Sequence, residues 1–293
     1  MNSGIHRAPS VLRRCGEQQR LARCCRWDSG VGTLLLLNQA PARQRRGQRG
    51  SASAAKPRRL CEYGGVIDVA VRRVDFGYFV RPAVETGTGS PKVDPCLGYL
   101  VEHPGGTVLF DTGMGSHPDV DAYYRPRTVA LRKALAVIGA DICDVRIAAN
   151  CHLHFDHCGG NPSLGQIPVF VQEVELETAR QTENYTLPEL IEANRFEQVT
   201  GEVELVPGVF LIPTPGHTQG HQSLVVRRPD GAVIVAGQSH DTATQYAADQ
   251  LAWQARRDGH SQPLPDPPAW VGVLQRFDPR VVYFAHDRSV WVP

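Results

Sequence analysis

Three histidines and one aspartate fall within six positions of the stretch NCHLHFDHCGGN, residues 150–161. Residues two apart in an extended segment project to the same side, so His152 and His154 can bind one cation together. Asp156 and His157 lie on the turn that follows and approach from a different backbone direction, so they can bind a second cation. Imidazole and carboxylate ligands suit zinc and similar metals, whereas calcium needs mostly oxygen. The stretch therefore predicts a metal site.

Short strands and turns lead into this stretch from the N-terminal side. Residues 66–80 alternate apolar and polar side chains, and residues 96–113 read as two strands joined by a turn at 104–106. Residues 128–139 have apolar side chains at helical spacing and end on a glycine suited to a helix C-terminus. The strand VRIAAN, 145–150, then runs directly into the histidines.

Strands and helices also alternate on the C-terminal side. We expect a strand passing into a helix over 168–181, a polar and partly helical insertion over 187–198, and four short strands with Pro-Gly and Asp-Gly turns over 203–238. A helix over 267–277 leads to a last strand over 281–287. Because the hairpins forbid a wholly parallel sheet, the predicted fold class is α/β (α+β), with two mixed β-sheets packed face to face and helices outside.

The charge distribution separates the chain into two parts. Of its 293 residues, the first sixty carry 13 basic and two acidic side chains, which leaves 18 basic and 28 acidic in the remainder. A folded part with a net charge of −10 argues against a nucleic-acid partner. No apolar run approaches the roughly 18 residues that span a bilayer, so we expect no membrane partner either. The eight cysteines fit free thiols in a reducing compartment, which favours a cytoplasmic protein.

We predict a disordered, Arg-rich N-terminal extension over 1–60 and a single folded domain over 61–293. The composition of the extension resembles a mitochondrial transit peptide, in which case the protein is mitochondrial. An upstream segment that results from a wrongly assigned start codon has a similar composition, and a nucleic-acid-binding tail is a third alternative.

The motif HLHFDH resembles the H-x-H-x-D-H motif of the metallo-β-lactamase superfamily. Three other stretches resemble that family in the same order along the chain: VLFDTGM with Asp111, PTPGHTQGH with His217, and VVYFAHD with His286. The resemblance implies an αβ/βα sandwich with metals at one edge of the two sheets. It implies two ligand groups, His152, His154 and His217 for the first ion and Asp156, His157 and His286 for the second.

The same resemblance implies a hydrolase that uses a metal-activated hydroxide. A bound divalent metal lowers the pKa of water from about 15.7 toward 7 and polarises the bond to be cleaved. Asp156 is then both a ligand and the group that moves a proton to the leaving group. Asp111 would orient ligands, and His221 would form supporting hydrogen bonds. We expect one or two Zn²⁺ ions, with Mn²⁺, Fe²⁺ or Co²⁺ as alternatives.

The chain departs from the family pattern after the strand AVIVAG. Two-metal members usually carry a bridging aspartate in a Gly-Asp dipeptide there, whereas this chain has Gly237-Gln238. A glutamine amide is neutral and a weak ligand. His240 and Asp241 are candidate substitute ligands, and both are also candidate substrate-binding residues. A two-metal site, a single tight metal and a metal-poor, inactive protein all remain open.

The substrate class follows only from the family branch. The motifs look most similar to the N-acyl homoserine lactonase-like branch, which predicts hydrolysis of a small-molecule lactone or related ester. That branch usually has a tyrosine three residues after the bridging aspartate, where Asp241 stands here. The alternatives are another hydrolase of this fold, acting on a thioester, an aryl or phosphate ester or a β-lactam, and a non-catalytic relative. A homodimer is also left open.

Cys158 and Glu173, near the motif, each allow two interpretations. Cys158 adjoins His157, and we favour packing over metal binding because it precedes two glycines. Glu173 either lines the site or is an exposed charge at a strand end. The remaining histidines are expected to be surface or loop residues, and these are His6, His103, His117 and His260.

Overall fold

The computed structural model of the protein describes residues 69–192, 195–261 and 263–293. The predicted extension 1–60 lies outside the described residues, as do residues 61–68, so the predicted division into extension and domain stays a prediction. The strands of the first sheet are β1 (Ala70–Arg81), β2 (Lys92–Glu102), β3 (Thr107–Phe110), β4 (Arg127–Thr128), β5 (Val145–Ala149), β6 (Val169–Gln172) and β7 (Phe196–Val199). The strands of the second sheet are β8 (Val203–Val206), β9 (Val209–Pro213), β10 (Gln222–Val226), β11 (Ala232–Val235) and β12 (Pro279–Tyr283).

Both sheets mix parallel and antiparallel pairs. The order in the first sheet is β4-β1-β2-β3-β5-β6-β7, antiparallel from β4 to β3 and parallel from β3 to β7. The order in the second sheet is β12-β11-β10-β9-β8, and only β11 and β12 run parallel. The turns at 104–106, 207–208 and 230–231 connect the hairpins as predicted. The prediction of two mixed sheets is confirmed.

The helices lie on the outer faces of the sheets. They are α1 (Pro118–Tyr124), α2 (Leu131–Val137), α3 (Phe155–Cys158), α4 (Glu173–Gln181), α5 (Glu189–Glu192), α6 (Ala243–Arg257) and α7 (Ala269–Gln275). Phe110 of β3 and Leu211 of β9 belong to the buried layer between the sheets. Leu176 of α4 packs on the outer face of the first sheet, and Tyr246 of α6 packs on that of the second. This layering is the predicted αβ/βα sandwich.

Several elements differ from the sequence prediction. α2 is shorter than 128–139, although Gly139 follows its end with φ of +72° as expected of a residue after a helix. The helical part of the insertion is only α5, and Phe196–Val199 forms β7 at the edge of the first sheet. We did not predict α6, which begins with a capping box between Thr242 and Gln245.

Among the described residues, none of the helices combines the length and the hydropathy needed to cross a bilayer.

The predicted site stretches all follow the carboxyl ends of strands. Asp111 follows β3, the histidine motif follows β5, and His217 lies in the loop after β9. Gln238 follows β11, and His286 follows β12. The parallel pairs β3/β5 and β11/β12 place these ends at a common edge of each sheet, where open α/β sheets usually bind ligands.

Candidate metal centre

Two of the predicted ligands, Asp156 and His157, lie on α3, and His152 and His154 lie in the loop between β5 and α3. The backbone of this loop is held by carboxylates from two other elements: Cys151 N donates to Asp111 Oδ1 at 2.8 Å, and Leu153 N donates to Glu175 Oε1 at 2.8 Å. Asp111 adopts a left-handed backbone conformation with φ of 64°, which aspartate tolerates better than most residues. The loop geometry therefore depends on a sharp turn after β3 and on a buried side chain of α4.

The first glycine after α3 permits a close approach of the backbone. A Cβ atom on Gly159 would lie 1.8 Å from Gly115 N, in the segment that follows β3. A larger residue at this position would push α3 away from the Asp111 turn.

His152, His154 and His217 form the first candidate ligand group, which we call the three-histidine group. His152 Nε2 lies 2.9 Å from His154 Nδ1, and His217 Nε2 lies 3.2 Å from the same atom. Burial lowers the pKa of His154 to about 4 and lowers those of the other two well below the usual range. Neutral imidazoles present lone pairs, so the three nitrogens suit one divalent transition-metal ion.

Asp156, His157 and His286 form the second candidate ligand group, which we call the aspartate group. Asp156 Oδ2 lies 3.5 Å from His157 Nε2 and 3.3 Å from His286 Nε2, and the two nitrogens are 3.1 Å apart. Burial lowers the pKa of His157, but the carboxylates of Asp156 and Asp111 together have a larger and opposite effect. The resulting pKa is about 9, above the usual value for histidine. Burial raises the pKa of Asp156, but the adjacent His157 and His286 hold it well below its usual range. The negative surroundings favour a cation at this group.

The hydrogen bonds of the Nδ1 atoms in the aspartate group show which ring nitrogens are left to bind a metal. His157 Nδ1 lies 3.1 Å from Asp111 Oδ2, and His286 Nδ1 donates to Pro95 O at 2.8 Å. With Nδ1 as the donor in each ring, both Nε2 atoms can present lone pairs next to the Asp156 carboxylate once His157 has lost its second proton. Three acceptor atoms that converge in this way fit a divalent metal ion.

His221 lies behind the ligands rather than among them. Its Nδ1 donates to Thr214 O at 3.0 Å, and its Nε2 accepts from Gln238 N at 3.1 Å. The ring thereby connects the loop after β9 to the turn after β11. This placement agrees with the supporting role proposed for His221, and the two contacts of Asp111 agree with its proposed role in orienting ligands.

Gln238 lies at the aspartate group, in the position predicted from the sequence. Its Oε1 atom is 3.1 Å from His157 Nε2, and its Nε2 atom donates to Asp241 Oδ1 at 3.3 Å. Burial raises the pKa of Asp241, but the Arg81 guanidinium lowers it below its usual range. Asp241 is therefore an ionised neighbour of Gln238.

The predicted substitute ligands do not join either ligand group of the described residues. Asp241 Oδ2 is bound by Arg81 Nη1 at 2.9 Å, and its other oxygen faces the Gln238 amide. His240 Nε2 bonds to Asp249 Oδ2 at 2.9 Å, on the opposite side of the turn. The role of His240 as a substitute ligand stays a prediction, and in this geometry its Nε2 atom is engaged with Asp249 of α6.

Two cysteines in the stretch 150–161 border the centre. Cys151 Sγ lies 3.1 Å from His152 Nδ1 and 3.2 Å from His157 Nδ1, so it touches one histidine of each ligand group. Burial and the Asp111 carboxylate raise its pKa well above the usual value, which disfavours the thiolate that metals bind. Cys158 Sγ contacts the carbonyl oxygens of Leu153 and His154, in agreement with packing.

Glu175 is the supporting residue that the sequence analysis missed. Its carboxylate accepts from Leu153 N in one ligand loop and from Thr218 Oγ1 at 2.7 Å in the other, and it also bonds Tyr185 OH. Glu173, the residue considered instead, is exposed and accepts from Thr200 Oγ1. The available signal was a glutamate next to Leu176 on the apolar side of a short helix.

A family model described as the metallo-beta-lactamase superfamily matches residues 91–286. The chain belongs to this superfamily. The matched range includes both ligand groups and the turn after β3. The resemblance noted in the sequence and the expected fold are thus confirmed.

Its relatives include several N-acyl homoserine lactonases. One from a Bacillus species is 33% identical over 145 residues, which is 45% of this chain and 58% of that protein. One from Bacillus cereus is 30% identical over 154 residues, 48% of this chain and 62% of that protein. The matches thus span about three fifths of these relatives. AiiB of Agrobacterium fabrum is 27% identical over 262 residues, 76% of this chain and 93% of that protein.

Solved structures of such enzymes share the fold. An N-acyl homoserine lactone hydrolase with N-hexanoyl-L-homoserine bound at its catalytic metal centre superposes with a TM-score of 0.60 and 25% identity. The superposition covers 74% of this chain and 93% of that one.

Proposed function

We propose that this protein is a metal-dependent hydrolase that opens a lactone or a related ester of a small molecule. The observation that carries the proposal is the side-by-side arrangement of two ligand groups at the strand ends. The rings of His152 and His157, one from each group, have centroids 4.1 Å apart. Membership of the superfamily and the similarity to lactonases support the same conclusion.

The residues of the two groups would bind and orient the metal ions. When bound, zinc or a similar ion lowers the pKa of a water toward 7 and polarises an ester carbonyl. Asp156 Oδ2 lies beside the Nε2 atoms of His157 and His286, and we infer from this position that it relays a proton to the leaving oxygen. Asp111 and the carbonyl of Pro95 keep the histidine rings in the orientation that binding requires.

A cleft of about 490 Å³ beside the centre is large enough for a small-molecule substrate. His217, Gln238 and Asp241 line the side nearest the ligands. Ser239 and Gln245 also line the cleft and offer hydrogen-bonding groups. This polar lining suits the ring and the amide of an acylated lactone better than its hydrocarbon chain.

A substrate panel tests the proposal. We expect purified protein loaded with zinc or manganese to hydrolyse N-acyl homoserine lactones, and a chelator to abolish that activity. Hydrolysis should return when metal is restored. If neither the zinc-loaded nor the manganese-loaded protein hydrolyses any lactone or ester of the panel, the protein is a non-catalytic relative.

One observation counts against the way in which the lactonase-like branch is expected to bind a lactone. The lactonase-like branch is expected to carry a tyrosine at position 241 to bind the substrate carbonyl, and Asp241 is instead an ionised partner of Arg81. A carboxylate cannot donate a hydrogen bond to a developing oxyanion. The panel should therefore include thioesters, aryl and phosphate esters and a β-lactam, and a higher kcat/KM on one of these than on any lactone would assign that class.

A further inference from the structure

The two departures from the family pattern touch each other. Gln238 stands where a bridging aspartate is expected, and Asp241 stands where a tyrosine is expected. Gln238 Nε2 and Asp241 Oδ1 are 3.3 Å apart. The negative charge that is missing at position 238 is therefore present three residues later, in contact with the neutral side chain.

Asp241 is anchored so that it cannot turn toward the ligands. Arg81, at the end of β1, binds Asp241 Oδ2 through Nη1 at 2.9 Å and Asp94 Oδ2 through Nε at 2.8 Å. Lys92 binds the other oxygen of Asp94 at 2.7 Å. Asp94 is fully buried and Arg81 is 8% exposed, so the middle of this row of alternating charges is shielded from water, whereas the side chains of Asp241 and Lys92 at its ends are 34% and 40% exposed.

The anchored carboxylate determines how the Gln238 amide points. An ionised carboxylate accepts hydrogen bonds and cannot donate them, so the amide nitrogen must face Asp241. The amide oxygen then faces His157 Nε2, at 3.1 Å. The hydrogen bond from Gln238 N to His221 Nε2 holds the backbone of this turn in place.

We propose that Gln238 binds the metal ion of the aspartate group through its amide oxygen, and that Asp241, anchored by Arg81, is a positioning residue that keeps this oxygen turned inward. A neutral oxygen attracts a cation less than a carboxylate does, so the ion of the aspartate group binds more weakly than it would beside an aspartate at position 238, and we expect it to be the weaker of the two ions. The inference rests on the metal dependence of the proposed function and not on its substrate.

Zinc titration of the metal-free, full-length protein tests the ligand. Calorimetry together with elemental analysis should find two ions per chain in the unmodified protein, one of them weaker. Gln238→Ala should lower the affinity for the weaker ion by about tenfold or more, and Gln238→Glu, which keeps the oxygen and adds a charge, should raise it by about tenfold.

Variants of Asp241 test the positioning role. Asp241→Asn offers Gln238 a donor as well as an acceptor, so the amide can turn over, and we expect about tenfold weaker binding of the second ion. Asp249→Asn is the matched control, because Asp249 lines the same cleft and bonds His240 instead of Gln238. The double variant Gln238→Glu with Asp241→Asn restores a donor facing an acceptor, so it should bind the second ion at least as tightly as Gln238→Glu alone.

Three results would overturn the inference. They are one ion per chain in the unmodified protein, unchanged binding of the second ion by Gln238→Ala, and an effect of Asp241→Asn no larger than that of Asp249→Asn. Retained binding at the three-histidine group shows that a variant is folded, and the gain expected for Gln238→Glu cannot arise from unfolding. Two-ion binding without any hydrolysis would contradict the proposed function and leave this inference standing.

Discussion

The three-histidine group and the aspartate group lie side by side but attract a metal ion by different means. Burial keeps His152, His154 and His217 neutral, so that this group offers preformed lone pairs and no charge. The aspartate group contains an ionised carboxylate and a histidine whose pKa is raised to about 9. One group therefore depends on packing, whereas the other depends on charge.

Their supporting contacts differ in the same way. Glu175 connects the two loops of the three-histidine group from behind. The aspartate group is supported by Asp111 and by the row of alternating charges that ends at Asp241, which contacts Gln238. Because both departures from the family pattern lie beside the aspartate group, that group is where this chain is expected to differ from its relatives.

Removal of one ligand from each group should have the largest effect and should expose the difference between the groups. We expect His154→Ala and His286→Ala each to lower kcat/KM by about a thousandfold, because several kcal/mol of transition-state stabilisation is lost. Elemental analysis should find that His286→Ala keeps the tighter ion, whereas His154→Ala loses it. The same tight ion in both variants would contradict the assignment of the tighter site.

Glu175→Gln should affect the three-histidine group alone. In glutamine one of the two carboxylate oxygens is replaced by an NH2 group, which cannot accept a hydrogen bond from a donor such as Leu153 N. One of the two ligand loops therefore loses its acceptor. We expect about tenfold to a hundredfold weaker binding of the first ion, as for other residues that hold metal ligands in place. Zinc titration measures this change.

Glu173→Gln is the control for that variant. Glu173 lies two positions earlier, at the start of the same helix, and is exposed to solvent. Equal losses of metal affinity in the two variants would show that Glu175 acts only through the helix and not through the ligand loops.

The site was more predictable from the sequence than the contacts that support it. The ligand stretches were visible because their residue types recur at fixed spacing, and the fold brings them together at the strand ends. Arg81 could not be assigned, since it meets Asp241 across 160 residues and has no motif of its own. Glu175 was missed because a glutamate near a helix start usually lies in solvent.

The fold was predicted where hydrophobic patterns were strong. The hairpins and β5 stood out, whereas β7 is a polar edge strand that pairs only with β6. Alternation of apolar and polar residues is weak in such a strand, so a helical reading was equally available. α6 was missed because its buried side chains, Ala243, Tyr246 and Ala252, include two small alanines that form a weak apolar stripe.

The pH dependence of metal binding should differ between the two ligand groups. Metal must displace a proton from His157, whose pKa is about 9, so the apparent affinity of the aspartate group should rise about tenfold per pH unit between pH 7 and pH 9. His154, with a pKa of about 4, is already deprotonated there, so the first ion should bind without this dependence. Calorimetric titrations at several pH values measure both slopes, and equal slopes would contradict the contrast.

Cys151→Ser should have the smallest effect, and its direction tests which group depends on the shared thiol. Cys151 Sγ contacts Nδ1 of both His152 and His157, but His157 Nδ1 also faces Asp111 Oδ2 at 3.1 Å. The shorter serine side chain should therefore weaken the support of His152 more than that of His157. We expect about threefold weaker binding of the first ion, the loss of one weak hydrogen bond, with the second ion unaffected.

Cys158→Ser is the matched control for this last change. Its sulfur is equally buried but contacts the carbonyl oxygens of Leu153 and His154 instead of a ring nitrogen. A serine hydroxyl can donate to the same carbonyls, so both zinc affinities should stay unchanged. If Cys151→Ser instead weakens the binding of the second ion more than that of the first, the thiol supports the aspartate group. The contrast between a three-histidine group that depends on packing and an aspartate group that depends on charge would then fail at Cys151.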